Sequence, residues 1–114
     1  MEDPANTKSF MKVSFFDSRI VKFIEGLDKP SHAKLSHCFD LLEELGNQIG
    51  LPHSKKVTKD FYELRTSGQI AVRLLYVVHG NEAMMIHGFI KKTDIMPQRE
   101  LATAVRKLHL LRRK

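Results

Sequence analysis

The chain predicts an α+β fold: a small antiparallel sheet with a helix pair on its N-terminal side and one helix at its C-terminus. Three observations carry this. Apolar residues recur at three- and four-residue spacing over 20–27, 35–45 and 101–111, each the stripe of an amphipathic helix. Between the second and third stripes, residues 61–92 change to strand-forming runs separated by turn-forming tetrapeptides. The length of 114 residues, 42% of them hydrophobic, suits one domain able to bury its own core.

Taken in order, residues 1–9, with Pro4, Asn6 and Ser9, read as a flexible leader ahead of a single domain over 10–114. Phe10 to Phe16 alternates imperfectly and reads as a short strand. Asp17 or Ser18 can cap a first helix carrying Ile20, Val21, Ile24 and Leu27, with Gly26 near its end. Pro30 fits the first turn of a second helix, where its missing N–H costs nothing. Leu35, Cys38, Phe39, Leu42 and Leu45 form that helix's stripe, and Gly46 supplies a left-handed stop. The two helices are expected to pair antiparallel on the sheet.

Residues 47–60 read as a basic connector, and three strands in quick succession follow it. Thr66-Ser67-Gly68-Gln69 and His79-Gly80-Asn81-Glu82 carry the chemistry of tight hairpins. The middle strand, Ile70 to Val78, is apolar on both alternating faces except at Arg73, as a central, doubly covered strand should be. Pro97 opens the last helix, with Glu100 near the positive end of its dipole and the basic run 107–114 near the negative end. Leu101, Ala104, Val105, Leu108 and Leu111 make its stripe.

Charge is unevenly shared. Residues 1–51 hold 6 Lys/Arg against 8 Asp/Glu, a net −2, while residues 52–114 hold 13 against 5, a net +8. Concentrated positive charge favours a polyanionic partner, RNA first among them, through steering and counterion release. A merely soluble basic surface is the alternative. The longest uncharged run is the ten residues Leu45 to Ser54, broken by two glycines and a proline, so no membrane span is expected. The polar start, Met1 to Ser9, lacks a secretory apolar region, so no secretory leader is expected, and a single cysteine excludes an internal disulfide; both fit an expected cytoplasmic location. Cys38 lies on a helical apolar stripe and reads as a buried small hydrophobe.

The chemistry concentrates in the strands. Strand period puts Glu63 and Arg65 on one face and Tyr62 and Leu64 on the other. In the third strand Ile86, Gly88 and Ile90 share a face, opposite His87, Phe89 and Lys91. If Arg65, Arg73 and Lys91 face one side, they form a cationic hollow with Lys92 at its rim. Such a hollow could clamp a phosphodiester and offset the charge that grows on it during displacement. The alternative pairs Arg65 with Glu63 or Asp60 and leaves Lys91 and Lys92 in solvent.

The six histidines, at 32, 37, 53, 79, 87 and 109, show no zinc-ligand spacing, so no metal or other cofactor is expected. Only His87 falls within the cationic strands, as a proton carrier or as a packed strand histidine. Tyr62 and Tyr76 read as core aromatics, with base stacking the alternative.

Several blocks of the chain resemble the RelE/ParE toxin superfamily, in particular its phage-derived HigB-like branch. They are Phe61-Tyr62-Glu63-Leu64-Arg65, then Arg73 with Tyr76, then His87 to Thr93, and Pro97 with Glu100 and Ala104. The likeness spans about residues 10 to 110. It departs at Asp60, where the family has glycine, and at Met96, where it has threonine. The resemblance implies a RelE-like fold and a metal-independent, ribosome-dependent mRNA endoribonuclease, the toxin of a type II toxin–antitoxin pair that inhibits translation. Its partners would be the ribosome, mRNA and a cognate helix-turn-helix antitoxin. Arg65 and Arg73 would stabilise transition-state charge, and Lys91 and Lys92 would orient the phosphate or move a proton. Lys55, Lys56, Lys59 and Arg99 would contact flanking RNA phosphates. The competing implications are a ParE-like gyrase inhibitor and an inactive phage-derived accessory protein that binds RNA or antitoxin.

Overall fold

A computed structural model of the chain describes residues 11–113, so the leader expected over 1–9 lies outside the described residues. Five strands form one sheet: β1 (Lys12–Phe15), β2 (Ser54–Lys56), β3 (Tyr62–Arg65), β4 (Val72–His79) and β5 (Glu82–Ile90), in the order β1-β5-β4-β3-β2. The helices are α1 (Ser18–Glu25), α2 (Lys29–Leu45) and α3 (Gln98–Arg112). This is the expected α+β architecture, and it is compatible with a RelE-like fold.

Local chemistry explains the boundaries. The Asp17 carboxylate accepts the Ile20 N–H at 3.1 Å and starts α1, and Asp28 does the same for Ser31 at 3.2 Å at the head of α2. Pro30 sits in the first turn of α2, and Gly46 ends that helix with φ 56°. His79 pairs with Glu82 around Gly80 (φ 63°) and Asn81, the two-residue hairpin its sequence announces.

Three expectations need correction. The sheet is mixed, because β1 runs parallel to β5. The connector 47–60 contains an edge strand, β2, which pairs antiparallel with β3. Its Ser-Lys-Lys sequence has no apolar alternation because only Ser54 points inward, its hydroxyl 2.7 Å from the Tyr76 hydroxyl. Thirdly, the β4–β5 register slips between Leu75 and Tyr76, which face His87 and Met85. Ile86 is the extra residue of this bulge. It packs with Leu75 and Phe89 instead of sharing a face with Gly88.

The sheet therefore separates two cores. On one face Leu64, Leu74, Tyr76 and Met85 pack against Ile20 and Ile24 of α1 and Leu35, Cys38 and Leu42 of α2. On the other, Phe61, Leu75, Val77, Ile86 and Phe89 pack against Ala104 and Leu108 of α3. Val105 of the predicted α3 stripe lies 40% exposed. Side-chain contacts from Lys107 and Arg112 help hold α3 across this face. Lys107 Nζ reaches Asp17 Oδ2 at 3.5 Å and donates to the Ile86 carbonyl at 3.4 Å, and Arg112 donates to Asp60 Oδ1 at 3.1 Å. Among the described residues no helix is long and apolar enough to cross a membrane.

Candidate active site

Strand register decides which charged residues meet. Cross-strand partners in a sheet project to the same face. One row on the α3 face runs Lys55, Glu63, Leu75, His87, and the next runs Arg65, Arg73, Phe89. The Lys91 N–H donates to the Ala71 carbonyl at 2.8 Å, which carries the register one step further and sets Lys91 beside the second row. Arg65 and Arg73 thus stand directly opposite each other on adjacent strands.

A buried carboxylate lies between them. Glu63 Oε1 is 3.7 Å from Arg65 Nε and 3.7 Å from Arg73 Nε. The alternative pairing of Arg65 with Glu63 is therefore present, but Glu63 is shared, so the three side chains keep one net positive charge. Their exposures differ. The side chain of Arg65 is 27% exposed and that of Arg73 only 8%. Arg73 Nη1 also donates to the carbonyls of Thr66 (2.8 Å) and Val72 (3.0 Å). Burial pushes the Arg73 guanidinium below its ordinary pKa, Glu63 raises it again, and Arg65 lowers it.

Among the described residues, the buried side-chain polar atoms without a hydrogen-bond partner are Glu63 Oε2, Thr66 Oγ1 and Arg73 Nε. All three belong to this one corner of the sheet. Native interiors satisfy nearly all such groups, so their concentration marks a place built for polar contacts rather than for packing.

His87 lies at the far end of the first row. Its Nε2 is 2.6 Å from Glu100 Oε1 in the first turn of α3, and its ring stacks on Phe89 at 6.1 Å between centroids. A carboxylate so placed orients the imidazole. The remaining predicted residues scatter. Lys91 is half-buried, whereas Lys92, Lys59 and Arg99 are exposed. Lys55 is exposed on the α3 face, opposite Glu63. Lys56 belongs to the opposite face, 5.6 Å from the centroid of the Tyr62 ring.

The tyrosines also belong to that opposite face, stacked on each other at 5.5 Å with Tyr76 2% exposed, which fits the core reading. Cys38 is buried, and burial raises its thiol to about 11, the signature of an unreactive cysteine.

Two participants escaped the sequence reading of the site. Glu63 was visible only as a possible partner for Arg65, and its two-residue spacing on a strand was the available signal. Glu100 is thirteen residues from His87 in sequence, and no local pattern links them.

No curated protein matches the chain at a significant level. A family model does, over residues 22–109: that of the phage-derived Gp49-like proteins (DUF891). The matched span contains both charged rows, the His87–Glu100 contact, the whole of α2, most of α3 and the second half of α1. By that match over most of its length, the chain belongs to the phage-derived Gp49-like family, a RelE-like toxin family.

Proposed function

We propose that the protein is the toxin of a type II toxin–antitoxin pair, of the HigB-like branch, and that it cleaves mRNA on the ribosome in the cytoplasm. The observation that carries this reading is the Arg65–Arg73 pair, opposed on adjacent strands around one shared carboxylate. RNA brings its own nucleophile. The 2′-hydroxyl attacks the adjacent phosphorus, the O2′–P bond forms, and the bond from phosphorus to the 5′-oxygen breaks. The protein has to hold the strand, move two protons and offset charge on the phosphoryl oxygens.

Arg65, the more exposed guanidinium, meets the phosphate. Arg73 is a positioning residue: pinned by two carbonyls, it fixes Glu63, and Glu63 fixes Arg65. Lys91 and Lys92 orient the phosphate or pass a proton, and His87, oriented by Glu100, is a further proton carrier. Lys55, Lys59 and Arg99 supply exposed charge for flanking phosphates. Lys56 reaches RNA only where the strand rounds the β2 edge. A helix-turn-helix antitoxin neutralises the protein.

Induced expression followed by mapping of mRNA 5′ ends tests the reading. New ends inside translated codons are expected within minutes of induction. Intact mRNA accompanied by DNA damage would point to gyrase instead, and intact mRNA with normal growth to an inactive accessory protein.

A further inference from the structure

A second concavity adjoins the charged rows. It is a cleft of about 420 Å³ between α2, the segment ahead of β2 and the turn after β3, within the size range of small-molecule sites. Its walls combine the apolar surfaces of Ala33 and Pro52 with two imidazoles, His37 and His53. Those rings stand nearly perpendicular, at 80° with centroids 5.9 Å apart. Thr66, whose buried hydroxyl is one of the unpartnered groups, lines the same cleft.

The rim is latched. Lys34 Nζ donates to the Ser67 carbonyl at 2.6 Å, next to Gly68 at φ +136°. A Cβ at Gly68 would lie 2.3 Å from that ammonium, so the glycine is what lets the latch close. Arg65 belongs to both places: it faces Arg73 across the strands and it lines the cleft, where its carbonyl accepts the Cys38 thiol at 3.5 Å.

We propose that this cleft holds one unstacked nucleobase of the RNA strand whose phosphate lies at Arg65. The inference rests on the reading of the protein as an RNA-cleaving toxin and extends it to substrate recognition. Single-stranded RNA is read by splaying bases onto aromatic faces while cations follow the backbone. Two imidazoles at right angles offer one ring to the face of a base and the other to its edge. The Thr66 hydroxyl supplies a partner for the edge, Lys34 supplies positive charge at the rim, and Arg65 marks the strand end where the RNA backbone would pass from the α3 face to the cleft.

The test uses fluorescence anisotropy at low salt with the full chain and labelled single-stranded heptanucleotides. Their 2′-O-methyl riboses cannot attack their own phosphates. A single abasic position is moved along the strand. For the wild type, one abasic position should weaken binding about tenfold, the scale of one stacked base. His37→Ala and His53→Ala should bind the intact strand about tenfold more weakly and ignore the abasic change at every position. His37 is exposed, so that variant tests the cleft even if His53→Ala fails to fold.

Wild-type binding that is absent, or indifferent to every abasic position, overturns the inference. So does an abasic penalty that survives in the folded histidine variants, or His37 and His53 resonances that move with antitoxin and not with RNA. Because cuts in cellular mRNA are read separately, loss of base dependence with cuts present removes only the cleft. Absence of cuts removes the nuclease.

Discussion

The two faces of this sheet are made by the same strands and obey the same two-residue period, yet they serve different ends. Under α1 and α2 the face is mainly apolar: the Tyr76 hydroxyl pairs with Ser54, and Thr66 Oγ1, at the α2 cleft, is a neutral hydroxyl buried without a partner. Under α3 the face is half core and half charge, and it carries Glu63 Oε2 and Arg73 Nε, buried without hydrogen-bond partners. The difference shows where this fold tolerates poor polar satisfaction. Among the described residues, buried charge left short of partners is confined to the α3 face, where a carboxylate stands between two guanidiniums, while the α1/α2 face leaves only a neutral hydroxyl at the cleft.

The sharpest way to break that contrast is to empty each face in turn. Glu63→Ala leaves Arg73 buried without its carboxylate, and it should cost about 3–5 kcal/mol in denaturant unfolding. Leu74→Ala, on the sealed face, should cost a similar amount, about 2–5 kcal/mol, by leaving a cavity. The two should part in activity per folded molecule, with Leu74→Ala retaining it and Glu63→Ala losing it. Equal melting of Glu63→Ala and the wild type would show that the carboxylate does not hold the arginines in place.

A smaller effect should distinguish the faces by pH. On the sealed face burial raises the Cys38 thiol from 9.0 to about 11 and raises Tyr76 as well, the latter opposed by its Ser54 hydrogen bond. Both groups bind their protons more tightly folded than unfolded, so their stabilisation is complete below pH 9 and fades as pH climbs toward 11. Native Cys38 should accordingly resist iodoacetamide at pH 8 and react once urea unfolds the chain. Fast alkylation of the native protein would contradict the sealed face.

Much of this contrast was legible before any coordinates. Asp17, Pro30, Gly46 and the Gly80–Asn81 turn announce their boundaries because caps and turns are local chemistry. Arg65 sharing a face with Glu63 follows from strand period alone. The edge strand β2 was hidden because its outward residues are lysines, leaving Ser54 as its one inward signal. The bulge at Ile86 was hidden because a register slip is decided by how β4 and β5 fit together. Arg73's burial and the His87–Glu100 contact arise from tertiary packing, and neither side of such a contact marks its own sequence.

The most direct measurement is the rate at which purified protein cuts ribosome-bound mRNA, wild type against Arg65→Ala. Arg65 is partly exposed and shares its carboxylate with Arg73, so its removal should change stability by no more than about 1 kcal/mol. The rate should fall by about 100-fold or more, the scale of losing one group that stabilises transition-state charge. An Arg65→Ala protein that melts with the wild type and cuts at the wild-type rate would contradict the account.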